Sequence, residues 1–150
     1  MKLKIPPAVQ TLIFASLMWL VDQYLSMGSF SFSHQKTLAK TILVMGAFIA
    51  VVAVMQFIRT KTTSDPMQPL KAKHLVTNGI YNYSRNPMYL AILVVLTAWM
   101  LALGNFFNLI IIAGFIWYIT EFQIKPEEKA LTKLFGEKYI DYCKNVRRWV

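Results

Sequence analysis

At 150 residues, with 56% hydrophobic side chains and a positive mean hydropathy, the chain is too apolar for a soluble domain and reads as a single membrane-embedded one. Its formal charge of +9 raises nucleic acid as a partner, but the lysines and arginines stand beside apolar runs, as membrane flanks do, so no nucleic-acid partner is expected. The one cysteine, Cys143, excludes an internal disulfide and any CxxC site; with His34 and His74 on opposite sides of the membrane, no metal site is expected.

A helix crosses a hydrocarbon core with about 20 mostly apolar residues. Residues 7–25 meet that need. Lys2 and Lys4 before them resemble a signal peptide, but Pro6 and Pro7 intervene and no small-x-small cleavage site follows, so the run reads as a retained span. Residues 26–36, with serines, Gly28, Phe30 and Phe32, read as an interfacial loop. Residues 37–58 form a second span in which Gly46 permits close helix packing.

Residues 59–87 then switch to turn and breaker chemistry. The stretch is long for a connection, and its interleaved Leu70, Leu75, Val76, Ile80, Tyr81 and Tyr83 argue against disorder. Residues 88–103 and 106–122 are two further apolar runs split by Gly104-Asn105, a tight helical hairpin. Residues 125–150 place Leu131, Leu134, Phe135, Tyr139 and Tyr142 at helical spacing, which predicts one amphipathic helix whose Lys138, Lys144, Arg147 and Arg148 meet an anionic leaflet. The expected fold is therefore an all-α integral membrane protein with about four transmembrane helices, a cytosolic loop and a C-terminal amphipathic helix. With four spans, every basic residue except Lys36 and Lys40 falls on one side, and the positive-inside rule puts both termini and the polar loop in the cytosol.

Polar chemistry concentrates in 74–89 and 123–131. Asn78-Gly79 is a turn signal. Arg85 precedes an apolar helix, where it either snorkels to phosphates or meets a ligand. Asn86-Pro87 opens a helix with free N–H groups, suited to an anion. Tyr81, Tyr83 and Tyr89 fit an interfacial aromatic belt or a cation site, the belt being the stronger reading for Tyr83. Glu127 and Glu128 follow Pro126 in a first helical turn; the helix dipole accounts for one, and because neighbours point about 100° apart, the other can face a site while its partner faces the cytosol or a lysine. No G-x-G-x-x-G after a strand, Walker loop or G-x-S-x-G is present, so Rossmann cofactors, P-loop chemistry and serine hydrolysis lose support.

Leu75-Val76-Thr77-x-Gly79-x-Tyr81-x-x-x-Arg85-Asn86-Pro87-x-Tyr89, followed by Glu127-Glu128-x-x-Leu131-x-x-x-Phe135-Gly136-x-x-Tyr139-x-x-Tyr142, resembles the isoprenylcysteine carboxyl methyltransferase family and its phospholipid methyltransferase relatives. The resemblance covers the C-terminal half, while the first two spans match only as membrane helices. It implies one membrane methyltransferase domain over 1–150, with two N-terminal spans in 1–58 and a cofactor-binding catalytic half in 59–150. For a bacterial-type member the location implied is the inner membrane. The cofactor implied is S-adenosylmethionine, held by Lys73, His74, Leu75, Val76, Tyr81, Asn86, Pro87, Met88, Tyr89 and Glu127.

Methyl transfer to an ionised carboxylate needs alignment more than a base, because the nucleophile is already deprotonated. The resemblance accordingly leaves a short catalytic list: Arg85, orienting the acceptor or its charge, and Glu128, supporting that arginine or the cofactor. Two departures stand out. The motif histidine of eukaryotic members is Asn86 here, and their substrate-binding arginine, four residues before the acidic pair, is Gln123, which offers no charged fork. The acceptor implied is a lipophilic small molecule or prenylated group, with carboxylate, phospholipid amine and thiol all open. A non-enzymatic lipid-binding protein would account for the charge but not for Glu127-Glu128. A sterol-reductase-type enzyme would need further cations for nicotinamide phosphates.

Overall fold

Prolines and glycines set the helix boundaries. The computed structural model describes residues 6–59 and 74–150. Helix α1 spans Pro7–Tyr24, opened by Pro6-Pro7, where a missing N–H is no loss. Helix α2 runs Gln35–Arg59, and α3 runs Pro87–Leu103, opened by Asn86-Pro87 and capped at Gly104. Helix α4, Asn108–Ile119, passes through a π turn, Thr120–Ile124, into α5, Lys125–Phe135; α6 is Glu137–Asn145. Among the described residues the only strand-like feature is an isolated bridge between Ser29 and Asn105.

Helix α2 packs along α3, and α1 packs on α3 and α4. Met18, Leu96, Met100, Ile112, Phe115, Ile119 and Ile124 fill the interior. Gly46 lets α2 approach α3 closely: a Cβ there would stand 2.9 Å from Val95. The outside is apolar too. Leu43, Val44, Phe48 and Val51 on α2 and Ile110 and Trp117 on α4 are exposed, a large apolar exterior that water would penalise and lipid would not. Two helical runs, Gln35–Gln56 and Asn108–Phe135, are long and apolar enough to cross a membrane, and Pro87–Leu103 is apolar but shorter.

The structure departs from the sequence expectation in two places. The apolar run expected to stop at 122 continues without a break into α5, as one run of 28 residues. Pro126 cannot donate its backbone N–H, and its ring crowds the preceding turn; the wide π turn absorbs that misfit without ending the helix. The single amphipathic helix expected over 125–150 is two helices and a strap. Gly136 adopts φ 55°, a left-handed conformation that breaks the helix, and beyond Asn145 the chain is non-helical. The apolar spacing reads through the break because Leu131 and Phe135 pack on Tyr139 and Tyr142 in one small cluster that also takes Leu75 and Cys143.

Candidate functional site at the polar end of the bundle

The entry to α3 is built from a short 3-10 turn, Gly79–Asn82. Gly79 has φ 63°, and a Cβ on it would fall 1.6 Å from Nε2 of Gln56, so the end of α2 sits directly on the turn. Oε1 of Gln56 accepts from the N–H of Ile80 at 3.3 Å. The turn directs Tyr81 inward and leaves Tyr83 77% exposed, as an interfacial aromatic would be. Tyr142 on α6 donates its hydroxyl to the carbonyl of Tyr81 at 2.6 Å. Burial raises the Tyr81 hydroxyl above its ordinary pKa, and the neighbouring Tyr142 and Glu127 add to the rise, so it stays protonated.

Three charged side chains then meet. Arg85 Nη1 lies 3.3 Å from Glu128 Oε1 and also contacts Cys143 Sγ. Arg148 donates Nε to Oε1 of the same carboxylate at 2.9 Å and Nη2 to Oε2 at 2.8 Å, a bidentate pair. Those hydrogen bonds to Glu128 hold the Arg148 guanidinium more firmly protonated than usual. The strap is tied by backbone as well: Arg85 donates its N–H to Arg147 O at 3.0 Å, and Asn86 Nδ2 donates to Arg148 O at 2.9 Å. Trp149 packs against the main core beside it. Arg148, expected at a leaflet, is turned inward to a carboxylate because the strap leaves the helix and crosses the start of α3.

Glu127 belongs to a second set. It accepts from the hydroxyl of Tyr89 at 3.0 Å, and among the described residues no basic side chain lies within ion-pair distance of it. One turn earlier Gln123 is 1% exposed; its Oε1 accepts from Nε2 of Gln10, on α1, at 3.4 Å, and its own Nε2 is buried with no hydrogen-bond partner among the described residues. Both acids thus face protein, one towards Tyr89 and the other towards two arginines. The expectation that one of them faces the cytosol or a lysine fails because the strap covers the second direction.

The fold brings Tyr81, Arg85, Asn86, Pro87, Tyr89, Gln123, Glu127 and Glu128 to one end of the bundle. Met88 is half-buried at the start of α3, Val76 is buried, Leu75 packs on the α6 cluster and His74 is exposed. Lys73 lies outside the described residues. The donor set suits an amino-acid-bearing sulfonium: tyrosine rings for a cation, a carboxyl group with no basic partner among the described residues for an ammonium or ribose hydroxyls, and Leu75–Thr77, whose backbone forms no hydrogen bond to other described backbone groups.

The sequence profile described as phospholipid methyltransferase matches residues 34–138. The chain belongs to the phospholipid methyltransferase family. Among similar proteins, a protein-S-isoprenylcysteine O-methyltransferase of Schizosaccharomyces pombe is 30% identical over 118 residues, 79% of this chain and 50% of that one. One of the same name from Saccharomyces cerevisiae is 28% identical over 146 residues, 89% of this chain and 58% of that one. An uncharacterized protein of Haemophilus influenzae is 44% identical over 63 residues, 42% of this chain and 100% of its own length. The chain spans about half the length of the isoprenylcysteine methyltransferases it matches. No solved structure matches it significantly.

The family match stops short of three side chains that the fold brings to the site. Gln10 precedes the matched region, and Cys143 and Arg148 follow it. Sequence reasoning passed over Gln10 as part of a plain span, although a glutamine within an apolar run was a signal that it needs a polar partner.

Proposed function

We propose that the protein is an S-adenosylmethionine-dependent methyltransferase that crosses the membrane four times, with both termini and the polar end in the cytosol, and acts on a lipophilic acceptor. The observation that carries this reading is Glu127: a carboxylate hydrogen-bonded to Tyr89, beside Tyr81, with no basic partner among the described residues, in a chain of the phospholipid methyltransferase family. Relatives named for isoprenylcysteine O-methylation support a membrane-presented acceptor. With four spans, every lysine and arginine except Lys36 and Lys40 falls in segments on one side, which supports the orientation.

Bound S-adenosylmethionine supplies an electrophilic methyl group. The protein's part is to hold and align. Glu127 takes the ammonium or ribose hydroxyls, with Tyr89 fixing its rotamer; Tyr81 offers an aromatic wall; and Leu75 and Val76 offer backbone groups to the base. Lys73, His74, Asn86, Pro87 and Met88 complete the proposed cofactor contacts. Arg85 orients the acceptor, and Glu128 fixes Arg85.

The Arg85–Glu128 pair also fits the charge balance of the step. When an anionic nucleophile attacks a sulfonium, opposite charges disperse, so a bare cation on the acceptor would stabilise the ground state more than the transition state. Glu128, shared with Arg148, offsets part of that charge, so Arg85 orients through hydrogen bonds at a reduced penalty. Gln123 presents a neutral amide where a charged fork would select carboxylates, which keeps phospholipid amines and thiols open beside prenylcysteine.

Isothermal titration of detergent-purified protein with S-adenosylhomocysteine tests the reading. Binding is expected, and Glu127→Gln should weaken it by about 1.5–3 kcal/mol, the range for a hydrogen bond to a charged group, in a protein that still folds. Absence of binding by folded wild type would overturn the proposal. Transfer of a labelled methyl to prenylcysteine, phosphatidylethanolamine or a simple thiol then identifies the acceptor class.

A further inference from the structure

Lys36 and Lys40 are the two basic side chains that the four-span reading leaves at the opposite end of the bundle from all the others. They lie one helical turn apart, so they share a face of α2. Both are exposed, and among the described residues neither has an acidic side chain within ion-pair distance. Both fall in the first two turns of the 35–56 stretch that is long and apolar enough to cross a membrane, the depth at which lipid headgroups begin. Gln35 fixes their position: its Nε2 donates to the carbonyl of Leu101 at 2.6 Å, which sets Lys36 beside the last turn of α3.

The two lysines open onto a groove. Helices α1 and α2 each pack on α3, and between them lies a cavity of about 610 Å³ whose apolar walls include Leu12, Leu43, Val95 and Trp99, with Lys36 and Lys40 in its lining. Trp99 is held across it by donating Nε1 to Ala15 O at 3.1 Å. That size falls in the range of about 300–1,000 Å³ typical of small-molecule sites. A long apolar slot with two adjacent ammonium groups is complementary to one ligand chemistry: an anionic head on a hydrocarbon chain.

We propose that this groove binds an anionic phospholipid, its phosphate between Lys36 and Lys40 and an acyl chain along Leu12, Leu43, Val95 and Trp99. An anion there relieves the repulsion between two like charges one turn apart and satisfies two ammonium groups that have no acidic partner among the described residues. The site is separate from the one built on Glu127, which lies at the other end of α3, and it does not depend on the acceptor assigned there.

Native mass spectrometry of the detergent-purified full chain, offered phosphatidylglycerol and phosphatidylcholine with identical acyl chains, tests this. The wild type should retain phosphatidylglycerol in preference. The double variant Lys36→Gln/Lys40→Gln should lose the preference, by about five-fold per lysine, while Lys36→Arg/Lys40→Arg should keep it. Ala102→Phe, which narrows the groove, should reduce retention of both lipids. An unchanged preference in the glutamine variant would mean that the lysines only snorkel to bulk headgroups. Loss of preference in the arginine variant, undiminished retention in Ala102→Phe, or recovery of the retained lipid as a methylated species after incubation with S-adenosylmethionine would each overturn the proposal as well.

Discussion

At the end of the bundle where α1 joins α2, the chain closes on itself with backbone. Phe30 donates its N–H to Gly104 O at 2.7 Å and Phe106 donates to Gly28 O at 2.8 Å. Asn105, fully buried, donates Nδ2 to Leu25 O and accepts from the N–H of Phe107. At the other end, closure of the same kind of helix ends uses a carboxylate between two arginines, a tyrosine on a second carboxylate, and two buried glutamines. Neutral groups satisfy a turn at little desolvation cost, whereas partly buried charges are expensive and break easily. A chain that needed only to connect helices would use the first kind of closure at both ends. The second kind stands where the cofactor site is proposed.

Breaking the charged closure should do the most damage. Glu128→Ala leaves the guanidiniums of Arg85 and Arg148 facing each other with no carboxylate, and removing one partner from such a cluster costs about 3 kcal/mol or more. Melting of the detergent-purified variant should show the loss, and limited proteolysis should show cleavage near the strap that wild type resists. Wild-type melting would mean that the strap is held by its backbone bonds alone.

Breaking the neutral closure separates stability from binding. Asn105→Ala removes two hydrogen bonds and strands a carbonyl and an amide, an effect of about 2 kcal/mol. The melting point should fall, while S-adenosylhomocysteine affinity, measured well below the new midpoint, should match wild type. A comparable loss of affinity would mean that the two ends are coupled through α3 and that the contrast between them is not one of function.

Much of this contrast was legible in the sequence, for identifiable reasons. Apolar runs gave the helices, Asn86-Pro87 the start of α3, and Gly104-Asn105 the hairpin, because each is a local steric or hydropathic signal. The segments carrying Arg85 and Glu127-Glu128 were legible as candidate sites because polar groups crowd between apolar runs. The strap was not. Nothing local distinguishes Arg148, which pairs with Glu128, from the exposed Arg147 beside it; their difference comes from Gly136 turning the chain and Trp149 anchoring it, both non-local effects. The continuity of α4 into α5 was hidden for a different reason: a proline that usually ends a helix is accommodated here by a π turn.

The finest distinction concerns the shape of the charge at Arg148 rather than its presence. Arg148 grips Glu128 with two parallel hydrogen bonds of 2.9 and 2.8 Å, while Arg85 reaches the same carboxylate at 3.3 Å. If the fork fixes the carboxylate so that Arg85 keeps its place, Arg148→Lys, which keeps the charge but loses the planar pair, should cost only about 1 kcal/mol of stability, because the edge of this side chain is open to water. Its effect on turnover should exceed its effect on cofactor binding, since Glu127 and Tyr89 are untouched. With labelled S-adenosylmethionine and whichever acceptor the wild type methylates, kcat should fall by several-fold while S-adenosylhomocysteine affinity stays within two-fold, about 0.4 kcal/mol. Equal losses in both would place Arg148 among general supports of the fold; a loss in kcat alone would show that the alignment of Arg85 depends on the geometry of the pair behind it.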